Sequence, residues 1–105
     1  MDINHAKQPL TQFLHQVSKH ITVDQMLIFG SYARGTATTD SDLDVVVVSE
    51  DFAGIRADKR LRILDSASRD IEPIIIAAGF TNREVQRAGK YSLVGQARTS
   101  GIKFV

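Results

Sequence analysis

The sequence has no cysteine. Disulfides and thiolate metal sites are therefore excluded, and a reducing, cytoplasmic location is the expectation. No apolar run is long enough to span a bilayer, and the N-terminus lacks the pattern of a signal peptide. Excess charge is also missing: 13 Lys and Arg against 12 Asp and Glu leave a formal net charge of +1. That balance gives no electrostatic case for binding nucleic acid or an anionic membrane. The densest basic group, Lys59, Arg60 and Arg62, reads as a solvated helix face. There is no internal repeat, low-complexity segment or linker. A Walker phosphate loop, a Gly-x-Gly-x-x-Gly pattern and a histidine-based acid–base pair are absent as well, which argues against a Rossmann-type cofactor binder and a ribonuclease. At 105 residues the chain reads as one domain, residues 1–105, with a modest core.

What is present concentrates in Gly30-Ser31-Tyr32-Ala33-Arg34-Gly35-Thr36-Ala37-Thr38-Thr39-Asp40-Ser41-Asp42-Leu43-Asp44. The apolar run Met26-Leu27-Ile28-Phe29 leads into it and reads as a buried strand. Gly30-Ser31 then turns the chain, which lets the Ser31 hydroxyl and nearby backbone N–H groups point outward. A helix beginning here would offer them to an anion. A second strand starts at Asp42 and Asp44. A period of two puts both carboxylates on one face at one end of that strand. Two such charges repel unless a cation sits between them, and a divalent ion is the usual choice. A phosphate cradle beside a hard-metal site is equipment for phosphoryl or nucleotidyl transfer. Either piece alone could be an ordinary turn or a solvated strand end.

Taken together, Gly30, Ser31, Arg34, Gly35, Ser41, Asp42 and Asp44 form a composite pattern that resembles the DNA polymerase beta-like nucleotidyltransferase superfamily. The chain is most similar to its minimal nucleotidyltransferases, short prokaryotic proteins encoded beside HEPN-domain partners. The likeness extends more weakly to about Ile76. It implies an α/β (α+β) fold, a small mixed β-sheet flanked by helices.

The rest of the chain supplies the elements in order. Residues up to Gln8 are polar and expected to be irregular, and Pro9 can open a helix. Leu10, Phe13, Leu14, Val17 and Ile21 follow at helical spacing. His5, His15 and His20 lie on or near that helix, with no carboxylate placed to complete a metal site. The first strand is expected over 24–29, a short helix over 31–37, a polar loop over 36–41 and the second strand over 42–48. In that strand Leu43, Val45 and Val47 face one way, while Val46 and Val48 share a face with Asp44. Both faces are apolar, so the strand is central. A second long helix runs from Ala57 to Ser68, packing Ala57, Leu61 and Leu64 on the sheet and pairing Asp58 with Arg62 at i,i+4. The third strand is expected over 71–76, ended by Ala77-Ala78-Gly79. Thr81 and Glu84 spell a capping box for a helix over 82–88. Tyr91, Leu93 and Val94 suit another helix, and Ile102 to Val105 a short edge strand.

The resemblance also assigns roles. A third acid lies on the strand next to the Asp-x-Asp strand, and Glu72 fits best, with Asp70 the competitor. Asp42, Asp44 and Glu72 are the implied catalytic and metal-binding set, holding two Mg²⁺ ions. Glu72 would also act on the acceptor hydroxyl's proton. Gly30, Ser31, Arg34 and Ser41 are the implied nucleotide-binding residues. ATP is the implied substrate and AMP the group transferred. The chain is too short to carry its own acceptor domain, so the acceptor is expected on another chain. By the same resemblance that chain is a HEPN toxin modified on a side-chain hydroxyl, with this protein as its antitoxin. Two rivals stand beside this reading. One is a homodimeric transferase acting on small molecules. The other is an antitoxin that blocks its partner sterically.

Overall fold

The computed structural model describes residues 3–105. A 3-10 turn, Ile3–Ala6, precedes the first helix, α1, Lys7–Val17. The N-terminal stretch expected to be irregular is thus regular from Ile3 onward. Residues 1 and 2 lie outside the described range. The cause is burial: Ala6 is fully buried, and Ile3 packs on the same core as α1. Pro9 sits inside the first turn of α1, where its missing N–H has no carbonyl to lose.

Next come β1, Gln25–Phe29, and α2, Gly30–Arg34, which together with β2, Leu43–Val48, frame the motif. Helix α3 spans Ala57–Ser68, β3 Ile75–Phe80, α4 Asn82–Arg87, α5 Leu93–Ser100 and β4 Ile102–Lys103. The four strands form one mixed sheet in the order β3-β2-β1-β4. Strand β1 is antiparallel to β2 and to β4, whereas β2 and β3 are parallel. The expected mixed sheet flanked by helices is what the chain forms.

Strand β2 is interior, and its alternation divides the core. Leu43, Val45 and Val47 join Met26, Ile28, Leu64 and Phe13 in the layer under α1 and α3. Val46 and Val48 join Leu27, Val85, Val94 and Ala97 under α4 and α5. Each fully buried aliphatic side chain contributes roughly 1.5–3 kcal/mol, so two-sided burial holds β2 rigid where its acidic end projects. The capping box is formed: the Thr81 hydroxyl accepts from the Glu84 N–H at 3.2 Å, and the Thr81 N–H donates to Glu84 at 2.7 Å.

Three expectations change. The third strand begins at Ile75 rather than Ile71, and it runs through Ala77-Ala78-Gly79 to Phe80. Pro73 has no N–H for a ladder, and pairing starts beyond it, with the Leu43 N–H donating to the Ile74 carbonyl at 2.8 Å. Gly79 does not break the strand. It admits the Phe52 ring, which would lie 2.6 Å from a Cβ at that position. Second, Leu61 is 56% exposed, and the sheet-facing residues of α3 are Leu64 and Ala67. Third, Arg60 is not on a solvated face. Its side chain is only 12% exposed and meets Glu84 at 2.6 Å. It also donates to the carbonyls of Ile55 at 2.7 Å and Gly79 at 3.3 Å. Asp58 and Arg62 do pair, at 3.7 Å.

Candidate active site

The site grows from the end of β1. Phe29 closes the strand in extended conformation, and Gly30 reverses the chain at φ +71°. Only glycine takes that backbone without strain. Its second role is space, because a Cβ there would run into the Asp44 carboxylate of the adjoining strand. The register explains the approach: Phe29 is opposite Asp44. Helix α2 follows for five residues and stops at Gly35, a left-handed C-cap at φ +76°. A helix this short has little macrodipole, so the Ser31 hydroxyl and the Arg34 guanidinium are the groups that count. Tyr32, between them, is buried and anchors α2 to the core.

Gly30, Ser31, Arg34 and Asp44 line one cleft of about 520 Å³, together with Gln96 and Ser100 of α5. The structure thus brings together four of the residues singled out from the sequence. It adds two that sequence reasoning missed. Gln96 and Ser100 are one turn apart on α5, and the Ser100 hydroxyl donates to the Gln96 carbonyl at 2.9 Å. Ala97, between them, is fully buried under the sheet. The alternation of buried Val94 and Ala97 with exposed Gln96 and Ser100 was the available signal, but no motif marks it.

Asp42 is exposed and immediately precedes β2, two residues before Asp44. The Asp44 carboxyl is pushed above its usual range. Burial is the main cause and the negative charge of Asp42 adds to it, while the charge of Arg34 works the other way. The two carboxylates therefore feel each other, as a shared cation site requires.

Ser41 is used locally. Its hydroxyl accepts from the Thr38 N–H at 2.8 Å and meets the Thr38 hydroxyl at 3.4 Å, tying the 38–41 turn ahead of β2. Glu72 does not join the aspartates as expected. It is exposed and precedes β3 instead of lying within it. Asp70, its competitor, turns the chain at φ +68° and lines a different hollow with Gln12 and His15 of α1. Among the described residues no group of three His, Cys, Asp or Glu side chains is arranged to hold a metal. The donor set that remains, two adjacent carboxylates of which one is held against a glycine turn, consists of hard oxygens and fits a divalent cation.

The profile of the nucleotidyltransferase domain family matches residues 10–94. The chain belongs to that family. Domains of this kind generally use a nucleoside triphosphate and a divalent metal. The matched span of the nucleotidyltransferase domain runs from α1 into α5 and so includes the glycine turn, the carboxylate strand and β3. No curated protein matches the chain. Among solved structures, the fold is similar to that of a Sulfolobus solfataricus protein described as a nucleotidyltransferase, with a TM-score of 0.71 and 17% identity. That match covers 95% of this chain and 79% of the other. Among the described residues no helix is long and apolar enough to cross a membrane.

Proposed function

We propose that the protein transfers AMP from ATP to a hydroxyl on a partner protein. The observation that supports this most is the joint placement of Ser31, Arg34 and Asp44 in one cleft, with Asp42 beside it. Asp42 and Asp44 would hold Mg²⁺, which when bound neutralises charge on the phosphates and the leaving pyrophosphate. The Ser31 hydroxyl donates to the terminal phosphates, and Arg34 supplies the cation nearest them. Gln96 and Ser100 border the other side of the cleft, where the nucleoside would extend. The acceptor oxygen forms a bond to the α-phosphorus as the bond to pyrophosphate breaks. The hydroxyl proton passes to solvent water as the new bond forms.

The acceptor side of the carboxylates supports a protein substrate. Helices α4 and α5 cover Val46, Val48 and Leu27 on this face of the sheet. Toward β3, Ile74 and Ile76 are left 64% and 51% exposed. A bound protein would cover them and hold its hydroxyl in place, replacing translational freedom with a fixed geometry. The resemblance to minimal nucleotidyltransferases supports a HEPN-domain toxin as that partner and this chain as its antitoxin, acting in the cytoplasm.

Mass spectrometry of this protein with ATP, Mg²⁺ and a HEPN protein encoded beside it tests the reading. The expected result is a mass gain of AMP units on the partner, with loss of its toxicity. An unmodified but neutralised partner would contradict it in favour of steric inhibition. Efficient transfer to a small alcohol without a partner would favour the homodimeric small-molecule enzyme.

A further inference from the structure

We propose that this chain binds its triphosphate with one divalent ion of its own, because Ile76 occupies the position from which a further carboxylate would hold a second. The inference rests on the triphosphate reading above and concerns the metal count at that site.

Strands β2 and β3 are parallel, and Asp44 is aligned with Ile76. The two side chains share a face. Their neighbours Val45, Ile75 and Ala77 all pack in the layer under α1 and α3. Val46 and Phe80, in step with Asp44 and Ile76, pack in the other layer. Ile76 is therefore the strand neighbour of Asp44 on the carboxylate face, and it is 51% exposed. Ile74, one step back on the same face, is 64% exposed. A carboxylate at either position would keep much of its contact with water. The chain instead presents two branched aliphatic side chains there.

Among the described residues no other acid replaces them. Glu72 precedes the strand, and Asp70 borders the hollow beside α1. Together with Asp42 and Asp44, neither makes a cluster of three.

Two divalent ions about 3.5–4 Å apart repel strongly and need anionic ligands between and around them. Magnesium takes a few protein oxygens and completes its shell with phosphates and water. Asp42, Asp44 and a triphosphate meet that requirement for one ion. For a second, on the side facing Ile76, the described residues supply no third carboxylate clustered with these two.

The test counts Mn²⁺ bound to the protein by the electron paramagnetic resonance of free Mn²⁺, with a saturating non-hydrolysable ATP analogue and an analogue-only control. The expected count is one ion for the wild type and for Glu72→Gln. Ile76→Asp should raise it to two, while the uncharged Ile76→Asn should leave it at one. The exposure of Ile76 keeps both substitutions compatible with folding. Two ions in the wild type, a drop in Glu72→Gln, or no gain in a folded Ile76→Asp would overturn the inference. Analogue binding with no protein-bound ion would also overturn it. Failure of the analogue itself to bind would overturn the triphosphate reading and this inference together.

Discussion

A Cβ on Gly30 would stand 3.0 Å from Cγ of Asp44 and nearer still to its Oδ2. The glycine turn and the carboxylate strand are therefore one device: the turn leaves a gap, and the acid fills it. Gly30→Ala meets both the left-handed backbone cost and this clash. The expected loss is about 1–3 kcal/mol of stability, seen in chemical denaturation. The displaced Asp44 should also reduce the thermal shift produced by Mg²⁺ and ATP. Gly35→Ala is the control, because Gly35 has the same backbone sign but nothing within 4 Å of its Cβ position. It should cost stability while leaving the nucleotide shift in place.

Asp44 is strained electrostatically in the free protein. Its folded pKa lies above the ordinary range of an aspartate, through burial first and Asp42 second. A carboxyl raised on folding binds more protons in the native than in the unfolded state over that interval, so its contribution to stability falls as pH rises through it. Above the interval the penalty is complete. Asp44→Asn should therefore stabilise the ligand-free protein at pH 7. Partial exposure reduces the gain to a fraction of 1 kcal/mol, or about 1–3 °C in melting temperature. The gain should shrink on acidification toward pH 4, as measured by calorimetry.

Ser31 is expected to touch terminal phosphates. Ser31→Ala should weaken binding of ATP by roughly 1.5–3 kcal/mol, the worth of a hydrogen bond to a charged group. AMP binding should change little. Isothermal titration with both nucleotides checks this, and equal losses would place the hydroxyl elsewhere.

Arg60 is a largely buried cation, its side chain 12% exposed. It joins α3 to the carbonyl of Gly79 in β3 and to Glu84 at the start of α4. Burial works to raise the Glu84 carboxyl, but the hydrogen bond from Arg60, aided by Thr81, outweighs it and holds the group below its usual range. Arg60→Met removes these bonds and leaves part-buried carbonyls without their donor. The expected cost is about 2–4 kcal/mol by urea denaturation. Glu84 contributes stability above its unfolded pKa, and this is lost as pH falls through the depressed folded value. Arg60→Met should flatten that acid limb.

Periodicity made most of the fold legible. Strand β2 shows its interior place through Leu43, Val45, Val47, Val46 and Val48, apolar on both faces. Thr81 and Glu84 announce α4 through local chemistry that needs no tertiary context. The failures have particular causes. Gly79 looks like a breaker, and only the packed Phe52 ring shows why it stands in a strand. Pro73 lies beside Ile74-Ile75-Ile76, so the strand reads as centred on it, while the ladder that decides its start belongs to β2. Arg60 is indistinguishable in sequence from Lys59 and Arg62, and the partners that bury it lie 19 and 24 residues away.

The site divides in the same way. Gly30, Ser31, Arg34 and Asp44 are close in sequence or lie on adjoining strands, so a local pattern finds them. Gln96 and Ser100 reach the cleft only because α5 packs on β1, and no short motif encodes that. Glu72 precedes β3, because the pairing of that strand starts later than its apolar pattern suggests.

The most direct test of the central claim is isothermal titration of the protein with a non-hydrolysable ATP analogue, with and without Mg²⁺, in the wild type and in Asp44→Asn. The expected result is tight binding by the wild type only when Mg²⁺ is present, and loss of that Mg²⁺-dependent part in Asp44→Asn. Binding that is indifferent to Mg²⁺, or a Mg²⁺-dependent part that survives in Asp44→Asn, would contradict a metal–triphosphate site at Asp42 and Asp44.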